Sequence, residues 1–502
     1  MEKPMHSFFT LLGNLSAARF QDTGNLEDAD ASIFAYSHAV ELTPFEDPEL
    51  HLRFRDMGNA FFRRFERSCK LDDIERAIAE YQAAIEVTPT SNPTAGRSNL
   101  AVTYHHLGVA LMSLCRFTAQ PDDAEQSVAA LQQAVKFSVS VNHQLLPHHY
   151  SGLGNAFFVR YELTGDVEDL KKAVQSLESG VKATPLDDES TLASLYNNLG
   201  NPLSSFFEET NDIEFLNRSI EAYEKSVNLS PPDRSLLASG YANLGRGYAT
   251  RFECTSQPQD IETAISAGRQ AVALTPAGHP DLPGWINLLA KALNNRFQLT
   301  QHMKDINDAT SFHQRAVQLT PKNHSYFSFR NQDLGASLLG RFKRTGDLRD
   351  LENAIISFQK AVDTCPSGHV YLPNLYMNLG NALAYRFGRT GEIQFANRAI
   401  ASNQKAVNLL PPSHQRLPIA YNSLGLSLMV RYQAIMQRDD LDQAISAFQQ
   451  AIRISPAGDS SLPNCYGNLS NALASRSRIG GGTKDLEDAL SVHWEAPSKE
   501  TY

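Results

Sequence analysis

The feature that most constrains this chain is repetition. The phrase NLGNALAYRF (378–387) recurs in recognisable variants along all 502 residues. Taking its glycine as origin, the anchors are Gly13, Gly58, Gly108, Gly154, Gly200, Gly245, Ala290, Gly335, Gly380, Gly425 and Ser470. Their spacings are 45, 50, 46 and 46, then 45 six times. A period in this range means a stacked array of one supersecondary unit, not the roughly three separate domains that length alone suggests.

Each unit reads as two helices. An aromatic precedes the anchor by four residues in nine units (Phe9, Phe54, Tyr104, Tyr150, Tyr196, Tyr241, Tyr376, Tyr421, Tyr466), and another recurs at slot +7, as in Phe20, Phe65, Phe207, Phe342 and Phe387. Slots −4, −1, +3 and +7 form the stripe of an amphipathic helix. Glycine inside a helix costs about 1 kcal/mol against alanine. Its recurrence predicts that another backbone comes too close for a Cβ. Turns such as Thr164-Gly165-Asp166, Thr345-Gly346-Asp347 and Thr390-Gly391-Glu392 end the first helix. Aspartate at +15 (Asp28, Asp73, Asp123, Asp169, Asp260, Asp305, Asp350, Asp440, Asp485) is expected to open the second helix by accepting from its free amides. Slots +19 and +26 are small throughout, which lets helices approach, and proline at +31, as in Pro44, Pro185 and Pro366, ends the unit.

This order of residues resembles the tetratricopeptide repeat: in one unit Leu334, Gly335, Ala354, Phe358, Ala361 and Pro366 fill its slots. Seven extra residues in the first helix and turn, and four in the inter-repeat loop, stretch the 34-residue unit to 45. The long form, with its RF…TGD…D and LTPxGHxDLP-like stretches, is similar to the arrays that precede CHAT domains (caspase-like, repeat-associated) in fungal proteins. The resemblance covers residues 1–496 and implies one continuous all-α, right-handed superhelical solenoid of ten to eleven antiparallel helical hairpins, followed by a tail, 497–502. The third unit departs from the pattern, with Cys115 at +7, Val139 at +31 and an insertion near Ser91–Arg97. In the last unit Ser470 and Ser477 replace the glycine and the aromatic. Both ends open directly into repeat helices. Two expectations follow: a piece of a longer protein, or outer repeats that serve as caps.

Composition removes several function classes. A formal charge of −10 argues against a nucleic-acid partner. Five dispersed cysteines without a CxxC pair argue against disulfides or a thiolate zinc site and for a cytoplasmic location. No apolar run is long enough for a membrane helix, and no secretory signal opens the chain. The pairs His105-His106 and His148-His149 invite a metal reading, yet adjacent helical residues point about 100° apart and no partner recurs at ligand spacing. His279, His369 and His414 share one loop position and read as loop-structuring residues. Gly480-Gly481-Gly482-Thr483 lacks the context of a phosphate loop and reads as a turn. No nucleophile–base constellation stands outside the repeat pattern. No catalytic residue, metal or cofactor is expected, and the chain reads as a non-enzyme.

Two ladders remain. Arginine at +6 (Arg19, Arg64, Arg160, Arg251, Arg296, Arg341, Arg386, Arg431, Arg476) is better explained as a tie to the acidic turn than as an anion ladder. Asparagine recurs at −2 (Asn198, Asn243, Asn378, Asn468) and at +1 (Asn14, Asn59, Asn155, Asn201, Asn381, Asn471). A carboxamide both donates and accepts, so it can pair with a peptide group of an extended ligand. The family resemblance implies that these two slots line a concave groove; the alternative is that they bridge neighbouring helices. The −3 slots beside Asn155 and Asn381 hold Ser151 and Met377 rather than the cations of a carboxylate clamp, which argues against recognition of a free C-terminal carboxylate. The expected function is non-catalytic protein or peptide binding, as a scaffold or as the sensing half of a larger effector. The rival is the regulatory fragment of a CHAT-type peptidase. The partner's identity, the pathway and the oligomeric state are not written in the sequence.

Overall fold

The computed structural model describes residues 5–89, 92–229, 231–456, 459 and 461–495. Ser91, at the start of the insertion, Ala496, in the last +26 slot, and the tail 497–502 lie outside the described residues. The rest is all-α: paired helices, with no strand among the described residues. Packing divides the chain into two compact units, Met1–Thr275 and Pro276–Tyr502. Both are built from the same hairpin, a tetratricopeptide-like repeat. No helix among the described residues is long and apolar enough to cross a membrane.

The fourth repeat shows how the sequence makes the hairpin. Its first helix, Leu146–Thr164, stops where Gly165 turns left-handed at φ 71° and returns its amide to the Tyr161 carbonyl. Thr164 Oγ1 donates to the Arg160 carbonyl at 2.9 Å and accepts from the Asp166 amide at 3.3 Å. Asp166 then caps the second helix, Val167–Ala183, by accepting from the Glu168 amide at 3.0 Å. The cap is therefore slot +12, not +15. Slot +15 lies inside the first turn, and its carboxylate is spent on an arginine described below.

The left-handed residue at +11 is glycine at Gly24, Gly165, Gly346 and Gly391, but Cys69, Ala119, Asn211, Ser256, Gln301 and Met436 adopt the same conformation at φ 53–57°. The turn is set by its context rather than by glycine. In the third repeat the insertion lengthens the first helix, Pro93–Thr118, and the missing proline lets the second run on through Pro121–Val141. The last repeat turns at 477–481 through a kinked π-type turn with Gly480 at φ 102°.

At most anchors the glycine makes room for a side chain rather than for the expected backbone. A Cβ on Gly58 would meet the Tyr81 ring at 2.7 Å, and one on Gly425 would meet Phe448 at 2.5 Å. In both, the intruder is the residue at +23, and Tyr36, Leu131, Leu177, Tyr223 and Phe358 do the same at their own anchors. Backbone comes close at two anchors: the Ala173 carbonyl lies 3.1 Å from a Cβ on Gly154, beside Leu177, and where +23 is itself glycine, at Gly268, the Ala264 carbonyl lies 3.2 Å from a Cβ on Gly245. Slot +19 is small because it lies at the same crossing, and Ser127 and Ser219 donate to the anchor carbonyl at 2.7 and 2.8 Å. Tyr81, Tyr223, Phe358 and Phe448 are all fully buried, each worth about 1.5–3 kcal/mol.

Candidate binding face

Within each unit, from the second repeat on, the first helix of a repeat packs on the first helix of the next, while no comparable row of contacts joins second helices among the described residues. First helices therefore form the inner row, and slots −2 and +1 stand on it, three residues apart on one face.

The structure divides the asparagines by what holds them. At −2, Asn198 Nδ2 donates to Ser151 Oγ at 3.1 Å, Asn243 to Asn197 Oδ1 at 3.1 Å and Asn468 to Asn422 Oδ1 at 2.9 Å. Each of these joins slot −2 to slot −3 of the preceding repeat. At +1, Asn201 accepts from the Tyr223 hydroxyl at 2.8 Å, as Asn14 does from Tyr36 at 2.7 Å and Asn59 from Tyr81 at 2.9 Å. Asn155 and Asn381 occupy the same slot where +23 is Leu177 or Asn403, so no phenol reaches them. Among the described residues, Asn155, Asn378, Asn381 and Asn471 make no side-chain hydrogen bond to protein; the first three are half-buried and Asn471 is exposed.

The two slots meet in a cleft of about 220 Å³ between the first two repeats, lined among others by Asn14, Tyr36, Asp56, Asn59 and Arg63. Asp56 stands at −2, and burial raises its carboxyl pKa above the usual range, against the opposing pull of Arg55, Arg63 and Arg53. The cleft thus presents donors, acceptors and a carboxyl on one inner wall.

The arginine ladder is structural. Arg64, Arg160, Arg251, Arg296, Arg341, Arg431 and Arg476 each grip the aspartate at +15 with two hydrogen bonds of 2.5–3.0 Å. Hydrogen bonding to these aspartates raises the guanidinium pKa at Arg64, Arg160, Arg251 and Arg341. Several arginines also reach slot +17 of the preceding repeat: Arg64 to Asp30 at 2.5 Å, Arg251 to Asn217 at 3.0 Å, Arg431 to Asn397 at 2.7 Å and Arg476 to Asp442 at 2.9 Å. Arg386 has Phe395 at its +15 slot; it packs over that ring at 5.5 Å and pairs with Glu352 at 2.8 Å. Sequence spacing exposes the +6/+15 pair, but the +17 partner belongs to another repeat and had no local signal.

Histidines fall into two kinds. His279, His369 and His414, with His324, each accept at Nδ1 from the backbone amide two residues on, at 3.1–3.2 Å, as expected of loop-structuring residues. His105 and His106 are half-buried and diverge, His105 toward His149 (ring centroids 4.9 Å apart) and His106 toward Tyr81 (5.7 Å). Burial pushes His105 down to about 4 and His106 and His149 to about 3. His149 Nδ1 lies 2.5 Å from Ser138 Oγ, but the two residues are 1% and 0% exposed, which closes the pair to a substrate. Among the described residues no group of His, Cys, Asp and Glu is placed to hold a metal ion, and all five cysteines are free thiols.

These features define a class, the tetratricopeptide-like helical-hairpin array. No protein-family model and no curated protein matches the sequence. Among solved structures, the human IFIT1 dimer with m7Gppp-AAAA is 14% identical over 90% of this chain and 91% of that one, with a TM-score of 0.40. The APC/C hetero-tetramer Cut9-Hcn1 is 14% identical over 93% and 94%, with a TM-score of 0.38. YrrB, a TPR protein with an unusual peptide-binding site, is 20% identical over 47% of this chain and 94% of its own, with a TM-score of 0.31. No function is carried over at scores of this size.

Proposed function

We propose that this chain is a non-catalytic binding scaffold that holds an extended peptide segment of a partner protein along the row of first helices within one compact unit. The observation that carries this reading is the pair of half-buried carboxamides Asn378 and Asn381, three residues apart on the helix Leu372–Thr390, with no protein partner among the described residues. Main-chain hydrogen bonds from such groups are largely sequence-blind, so flanking side chains would set specificity. The bridging asparagines at −2 hold the register of the row that presents them. The resemblance to CHAT-associated arrays extends the proposal to a regulatory role beside a peptidase domain on another segment. The chain itself is then expected to cleave no peptide bond.

Two double variants test this against tiled peptides from proteins retained on the immobilised full-length chain. Asn378→Ala with Asn381→Ala is expected to weaken the best peptide about ten- to thirtyfold, at about 1 kcal/mol per lost hydrogen bond, and to leave melting unchanged. Asn198→Ala with Asn243→Ala removes two inter-repeat bridges and is expected to lower the melting temperature. Unchanged affinity in the first variant overturns the groove assignment. Tighter binding of a fluorescent oligo-adenylate RNA than of any peptide overturns the partner class.

A further inference from the structure

Two repeats carry an arginine at slot −5, Arg53 and Arg330, and both are buried, at 4% and 8% exposure. A guanidinium taken out of water is costly unless a counter-charge reaches it. Arg53 has two from the loop before it: Asp47 at 3.3 Å, in slot −11, and Glu49 at 3.2 Å, in slot −9. In the eighth repeat the same slots hold His324 and Tyr326. Arg330 Nη1 donates to Thr320 Oγ1, and the guanidinium lies over the Tyr326 ring at 5.9 Å. Among the described residues no carboxylate stands within ion-pair distance of it. Asp333, less than a turn further on, is already held by Lys291 at 3.0 Å and by Asn287 at 2.8 Å.

The Arg330 side chain lines a cleft of about 260 Å³ whose walls include Leu282, Pro283, Leu319 and Pro321, with His279 and His324 beside them. Both imidazoles accept a backbone N–H at Nδ1, at 3.2 Å, so the neutral ring carries its proton on Nε2 as a donor. The cleft therefore combines one buried cation, two imidazole donors and apolar walls. Its slots lie at the loop edge of the array, apart from the −2 and +1 slots of the inner face.

We propose that this cleft takes a carboxylate from outside the chain, carried on an apolar peptide segment, with Arg330 as its ion-pair partner and His279 and His324 as further donors. The missing counter-charge explains the carboxylate, and the leucine and proline walls explain the apolar carrier. A single guanidinium matches a singly charged group in fork geometry. The carboxylate is either a peptide C-terminus or an acidic side chain.

Calorimetric titration of the full chain distinguishes these sources with four probes: N-acetyl-Leu-Leu with a free C-terminus, its C-terminal amide, N-acetyl-Leu-Glu-Leu amide, and acetate. One of the two carboxylate peptides is expected to bind at least about tenfold tighter than the uncharged amide, the scale of one charge-assisted hydrogen-bonded pair. The decisive variant is His324→Asp. It recreates the Asp47 arrangement, and aspartate serves the same loop bond at Asp459, which accepts from the Ser461 amide at 2.8 Å. This variant is expected to melt higher and to lose at least about tenfold in peptide affinity, because the introduced carboxylate occupies Arg330. Arg330→Met is expected to abolish binding. Overturning results are no binding by either carboxylate peptide, equal binding of the amide, unchanged affinity in His324→Asp, acetate matching the peptides, or inorganic phosphate outcompeting them.

Discussion

Ala119 and Gly165 occupy the same slot in neighbouring repeats, both left-handed, at φ 56° and φ 71°. For an L side chain that conformation costs roughly 1–2 kcal/mol, and glycine escapes most of it. Ala119→Gly is therefore expected to stabilise the chain by about 1 kcal/mol, and Gly165→Ala to destabilise it by a similar amount, read from urea midpoints. The Gly165 site is a clean control, since nothing lies within 4 Å of an added Cβ. The sequence showed this turn only where glycine marks it, because at Cys69 or Met436 the conformation is imposed by the amide returning to the +7 carbonyl. Slot +15 was legible as the acidic partner of the arginine at +6, but it also read as the helix cap, a role that falls to slot +12, as at Asp166. Asp169→Asn keeps the shape and removes the charge opposite Arg160; it is expected to cost about 1–3 kcal/mol in thermal or urea unfolding.

At the scale of helices, the junction of the third and fourth repeats concentrates acid sensitivity. His105 and His106 come from Pro93–Thr118, and His149 from Leu146–Thr164, with Arg55 and Arg63 adding positive charge near His106. All three imidazoles are held neutral, at about 3 to 4 against an ordinary 6.5. The unfolded chain binds their protons first as pH falls. Their contribution is thus complete above about 6.5 and is lost progressively below it, at up to about 1.4 kcal/mol per pH unit for each ring. Urea midpoints are expected to fall steeply from pH 7 to pH 5, and His106→Leu to flatten that slope. The adjacent histidines were legible as a divergent pair from helical geometry alone, but their ring partners His149 and Tyr81 were not. These contacts arise where Pro93–Thr118 packs on the helices of its neighbouring repeats, a tertiary event that no local pattern announces.

For the whole molecule, repetition made the hairpin, its small slots and its terminating proline readable before any coordinates, whereas the anchor's true neighbour at +23 varies among Tyr, Leu, Phe, Asn, His and Gly and so escapes a pattern search. The asparagine slots were legible as positions; which carboxamides are engaged depends on that +23 residue and on slot −3 of another repeat. Nearest-neighbour energetics predict that deleting 336–380 in register leaves a folded helical array. Deleting only the helix Leu348–Thr364 is expected to abolish cooperative unfolding, because it strips the cover from buried Leu338 and Phe342. Circular dichroism melts of the two deletions check this, and equal melts would contradict it. The arginine at +6 carries a consequence of its own. Its two-pronged grip on aspartate closes inside a single repeat, while its third contact crosses the seam to a more exposed group such as Asp30, 62% exposed. A gain or loss of one 45-residue segment by unequal recombination would therefore leave each such arginine its in-repeat carboxylate at the new joint, Arg386 excepted, whose counter-charge Glu352 lies across the seam. The number of repeats is a heritable dial that this architecture can turn at most of its joints.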